Sequence, residues 1–139
     1  MSNMPLLAGM VAAVIVVGII LLVILSRAQP KARLNQDWYA ERWRAVEQQL
    51  EDGRSGQILA VVNADKLLDH AMQAKHFRGK TMGERLKNHP TAFADINAIW
   101  RAHKLRNRIA HEQSQAYEAE CRSAVATLRQ GLKDLGALR

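Results

Sequence analysis

The chain has 139 residues, with 20 Lys and Arg against 13 Asp and Glu, a formal net charge of +7, and a single cysteine. One thiol excludes a disulfide framework, and the roughly 105 residues after Asn35 are enough for one modest domain and not two. No Gly-rich phosphate loop, HExxH, GxSxG or Cys/His set with metal-ligand spacing occurs, so nucleotide-loop, zinc-protease and serine-hydrolase chemistries are excluded and no cofactor or metal is expected.

Residues 1–4 form a short tail, and then PLLAGMVAAVIVVGIILLVIL carries no charged or amide side chain. At about 1.5 Å per residue this stretch reaches roughly 31 Å, the thickness of a hydrocarbon core. The expectation is a transmembrane helix over residues 5–26 and membrane attachment through it. A cleaved signal peptide fits less well, because no base precedes the stretch and no A-x-A-like site follows. Gly9 and Gly18 are nine residues apart and make no small-xxx-small seam. Arg27, Lys31 and Arg33 follow the stretch, which by the positive-inside rule places the rest of the chain in the cytoplasm and the protein in the inner membrane as a single-pass anchor. Residues 27–34 read as a basic linker broken by Pro30, spanning at most about 30 Å. Residues 35–139 read as a helical cytoplasmic domain.

Within that domain, Tyr39, Trp43, Val46 and Leu50 recur at 4-3-4 spacing and predict a helix from about Asp37 to Glu51, ended by Gly53. Its tryptophans read as core or interfacial residues. Ser55 is placed to cap a second helix carrying Ile58, Leu59, Val62, Leu67, Leu68, Ala71 and Met72, with Gly79 where the periodicity stops. Thr81-Met82-Gly83-Glu84 has capping-box spacing and predicts a short third helix through Lys87, broken by His89-Pro90. A fourth helix is expected from about Thr91 through Phe93, Ile96, Ile99, Trp100, His103 and Arg106 toward His111. A last one, capped by Ser114, carries Tyr117, Cys121, Ala124, Val125, Leu128, Leu132 and Leu135, with Cys121 a core thiol. Strand-like alternation and hairpin dipeptides are missing. The fold class is all-α, a four- to five-helix up-and-down bundle behind the N-terminal helix.

The excess of base is concentrated between Lys75 and Arg108, where nine bases face only Glu84 and Asp95. Three readings stay open: a phosphate-binding surface, contact with anionic lipid or an acidic protein partner, or a plain solvated face. On the first, Lys104, Arg108, Arg101 and Lys80 are the candidate RNA or phosphate ligands.

The segment Arg106-Asn107-Arg108-Ile109-Ala110-His111 resembles the HEPN superfamily, whose mark is an Arg, commonly followed by a polar residue, with a His after four to six intervening positions. The spacing alone is weak in so basic a chain. Its context carries the resemblance, which covers about residues 36–135: the Asn directly after the Arg, a Trp-anchored amphipathic helix that the motif closes, two longer helices before it and one after. The resemblance implies a HEPN-like bundle, a homodimer, and metal-independent RNA cleavage at a site where two copies meet, in a toxin or phage-defence role. Arg106, Asn107 and His111 would be its catalytic residues. Toxin-like members often continue as His-x-Tyr, where this chain has Gln113.

The residue types suit the chemistry. A His near neutral pKa moves the proton of a 2′-hydroxyl or of the leaving group, an Arg neutralises charge growing on phosphate, and an Asn orients either. On an unbroken helix Arg106 and His111 stand about 140° apart, so a shared site needs either a helix end near Ala110 or a second subunit. Ordinary structural uses stand beside this: Arg106 paired with Asp69 or Glu112, His111 over the helix C-terminus, and His103 as a satisfied core histidine or a helper. Asp65, Asp69 and His70 do not make a metal set, since His70 points away. A non-enzymatic helical interaction module at the cytoplasmic membrane face is the alternative function.

Overall fold

The computed structural model describes residues 4–27, 32–111 and 117–139, with the side chains of the first helix placed over residues 7–23. The readings that concern Pro30, Lys31, Glu112, Gln113 and Ser114 lie outside the described residues. The described chain is all-α: α1 Met4–Arg27, α2 Gln36–Glu51, α3 Gly53–Ala74, α4 Met82–Asn88, a 3-10 turn Pro90–Ala92, α5 Ile96–His111 and α6 Glu118–Asp134. It divides into two compact units, Met1–Ala32 and Arg33–Arg139.

In the first unit α1 is apolar, and its large side chains, such as Met10, Val14 and Leu22, are exposed. The expected membrane span is corrected here: among the described residues no helix is long and apolar enough to cross a membrane. The single-pass inner-membrane localisation falls with the span.

The second unit is a helical bundle. Asn35 opens α2, its side chain accepting from the Trp38 amide at 3.1 Å, and the predicted stripe is buried through Tyr39, Trp43 and Val46. The centre is α3, which packs against α2, α5 and α6. Its buried face alternates small and large residues, Ala60, Val61, Ala64, Leu68, Ala71 and Met72, and the alanines let neighbouring helices approach. Gly131 on α6 answers them: a Cβ there would stand 2.8 Å from Ile99 Cδ1. Cys121 is buried among these core residues as expected.

Boundaries shift where local capping competes with periodicity. The second helix starts at Gly53, without the Ser55 cap, and stops at Ala74 well before Gly79. The intervening loop is held by Arg85, which grips Asp69 through Nε at 2.8 Å and Nη2 at 2.9 Å and donates from Nη1 to the Gly79 carbonyl at 2.7 Å. Gly79 has φ 143°, and a Cβ on it would meet the Arg85 amide nitrogen at 2.7 Å, so only glycine fits. Thr81 caps α4 as predicted, accepting from Glu84 N at 3.2 Å. The fourth helix begins at Ile96 and not Thr91, because Pro90–Ala92 forms its own turn and the Asp95 carboxylate accepts from Ala98 N at 2.9 Å.

Candidate functional site at the end of helix α5

Helix α5 presents two different faces. The first looks at α3, where Asp65 sits in the buried stripe at only 3 % exposure. A buried carboxylate must be paired, and His103 Nδ1 approaches it at 3.0 Å. The carboxylate has no proton to give, so the Nδ1 hydrogen is the one donated and Nε2 is left as an acceptor. One turn on, the Asn107 amide nitrogen lies 3.3 Å from that Nε2 and donates to it. The Asn107 oxygen accepts from Arg106 Nη1 at 3.1 Å. Arg106 Nε returns to Asp65, 3.7 Å from its second oxygen, which is ion-pair range without a hydrogen bond; this Nε is buried with no hydrogen-bond partner. Asp65, His103, Asn107 and Arg106 thus close a ring.

The second face lines a groove of about 940 Å³ against α6. Arg101, Lys104, Asn107, Arg108 and His111 contribute from α5, and Glu120 and Ser123 from α6. Arg108 donates to Glu120 at 2.9 Å. Glu120 also accepts from the Tyr117 amide at 3.1 Å, and these two bonds, the Tyr117 one foremost, hold its carboxyl below the usual carboxylate range. Arg101 and Lys104 are exposed and have no ion pair among the described residues. Three bases therefore face one acid, and the groove is positive. Cys121 lies on α6 near it, but burial and then the Glu120 charge push its thiol up, which leaves it inert as a nucleophile.

The predicted residues divide between these faces. Asn107 belongs to both, Arg106 to the ring, and His111, Arg101, Lys104 and Arg108 to the groove. Lys80 lies in the turn ahead of α4, outside the groove lining. Because α5 runs unbroken through His111, Arg106 and His111 do not converge within one chain. The expected pairing of Arg106 with Asp69 is corrected: Arg85 occupies Asp69, and Arg106 stands beside Asp65.

What sequence reading passed over was Asp65 as the anchor of the motif, although a carboxylate one residue from Ala64 on the same apolar stripe as Val61 and Leu68 is the available signal. Its neighbours on α3 go elsewhere. Asp69 holds Arg85, and His70 Nδ1 meets the Tyr39 hydroxyl at 2.8 Å while its ring stacks on Trp38. No group of three potential metal ligands forms among the described residues.

No protein-family model, curated protein or solved structure matches the chain.

Proposed function

We propose that this chain is an RNA-binding helical domain of HEPN-like, up-and-down architecture that cleaves RNA without a metal ion, as a homodimer, through Arg106, Asn107 and His111. The observation that carries the reading is the groove in which Asn107 and His111 open among Arg101, Lys104 and Arg108. Two bases without an ion pair among the described residues, Arg101 and Lys104, beside a histidine suit a phosphodiester with a nearby hydroxyl better than they suit an apolar partner.

In the proposed reaction His111 takes the proton of a ribose 2′-hydroxyl and the 2′-oxygen attacks the adjacent phosphorus. The bond from phosphorus to the 5′-oxygen breaks, and that oxygen leaves with a proton from a water, which the His111 imidazolium replaces as it returns to its neutral form. The products are a 2′,3′-cyclic phosphate and a 5′-hydroxyl. An Arg106 guanidinium neutralises the charge on the phosphoryl oxygens as they become more negative. The two groups stand on different sides of α5, so the site draws Arg106 from one copy and the partner subunit's His111. A toxin or defence role would show as growth arrest on expression.

The full-length chain incubated with single-stranded RNA in EDTA tests this. Cleavage leaving cyclic-phosphate ends is expected, falling about 100-fold or more in Arg106→Ala and in His111→Ala. Cleavage that survives both substitutions sinks the enzymatic reading. Binding without cleavage supports a non-enzymatic RNA-binding module, a reading favoured by the engagement of Arg106 within the ring.

A further inference from the structure

We infer that Asp65 and His103 are the positioning pair that sets which atoms of Asn107 and Arg106 reach the phosphate; the inference rests on the proposed function for its substrate, not for its geometry. The ring admits one consistent order of donors and acceptors. Asp65 can only accept, so His103 holds its hydrogen on Nδ1. Nε2 can then only accept, so Asn107 turns its NH2 toward α3 and its oxygen toward Arg106. Reversing the Asn107 amide would set its NH2 against the Nη1 hydrogens of Arg106 and its oxygen against the His103 lone pair. Both contacts are repulsive. Asp65 at 3 % exposure thus fixes, through three successive bonds, the plane of a guanidinium two elements away in sequence.

This order commits two of the three guanidinium nitrogens of Arg106. Nη1 bonds Asn107 and Nε faces Asp65, whereas Nη2 has no partner among the described residues and the side chain keeps 29 % exposure. The ring therefore leaves one guanidinium nitrogen uncommitted, and that nitrogen is the one available to an anionic oxygen. A guanidinium already held in its working plane loses less freedom when it meets the phosphate. His103 itself, with a side chain 12 % exposed and both nitrogens engaged, is not a group that touches RNA.

Two measurements on the full-length chain decide this. Long-range nitrogen–proton correlation spectra of the imidazoles are expected to show His103 in the Nδ1–H tautomer near neutral pH, with Nε2 unprotonated, and to lose that preference in Asp65→Asn. Finding His103 as the Nε2–H tautomer overturns the ring. The second measurement is a cycle on RNA cleavage with His103→Ala, Arg106→Ala and both together. His103→Ala is expected to lower kcat about 10- to 100-fold with KM little changed, and the double variant to be no slower than Arg106→Ala. His103→Gln, which keeps a donor and an acceptor, is expected to recover part of the loss. Losses that multiply in the double variant overturn a role through Arg106. Should the wild-type chain neither bind nor cut RNA, the proposed function fails, and the tautomer alone then supports or overturns the positioning pair.

Discussion

The two faces of α5 are built on opposite plans. Toward α3, three polar side chains close around a buried carboxylate; toward α6, bases stand open above a groove. In a closed network each group depends on the others and an orphaned member is costly, so substitutions there are felt in stability. On the open face there is little internal pairing to break, so substitutions are felt in what binds. Asn107 is where the plans meet, since it belongs to the ring and also lines the groove.

The sharpest way to break this contrast is Asp65→Ala. It leaves the His103 N–H and the Arg106 guanidinium without their buried partner, and unfolding by urea should show a loss of about 3 kcal/mol. A loss under about 1 kcal/mol would mean the ring is not closed. The counterpart on the open face is Arg101→Ala with Lys104→Ala. Stability should stay within about 0.5 kcal/mol, while the slope of log affinity for single-stranded RNA against log salt concentration flattens by about 1.4, from roughly 0.7 per lost phosphate contact. An unchanged slope would remove the groove from RNA binding.

Glu120→Gln sharpens the same face in the other direction. Releasing Arg108 and removing the groove's one acid should raise RNA affinity about two- to fivefold at low salt, read by fluorescence anisotropy. The smallest effect lies off α5. His89 accepts from the Arg78 amide at 2.9 Å, and burial, with Arg78 secondary, holds its imidazole below the usual histidine range. The unfolded chain then takes up this proton first. The stability His89 contributes is therefore present at neutral pH and lost as pH falls through about 6.5. The urea midpoint should decline from pH 7.5 to 5.5, less steeply in His89→Phe.

Much of the scaffold was legible because periodic burial is a local signal. Tyr39, Trp43 and Val46, the Thr81 cap, and Cys121, Ala124, Val125, Leu128 and Leu132 all lie where their spacing put them. The late start of α5 was not, since a proline turn and the Asp95 cap replaced a turn of helix that periodicity alone would continue. The motif Arg106-Asn107-His111 was visible as a string, but its support was not: Asp65 is 38 residues from His103, and nothing local says which base a buried acid on α3 will meet. Asp69, one turn away, was an equally good candidate until Arg85 took it. The N-terminal stretch shows the reverse error, in which an apolar run read as a span was not matched among the described residues.

The most direct test of the account is a mixing experiment between two inactive proteins. Arg106→Ala and His111→Ala chains, each first shown to dimerise, are mixed in equal amounts, allowed to exchange, and assayed on single-stranded RNA in EDTA. If the site is composed of Arg106 from one copy and the partner subunit's His111, half the dimers are mixed and each carries one intact site. Cleavage should then return to about a quarter of the wild-type rate. No recovery, with subunit exchange verified and the wild-type chain active, would contradict the composite site and the separation of Arg106 from His111 on which it rests.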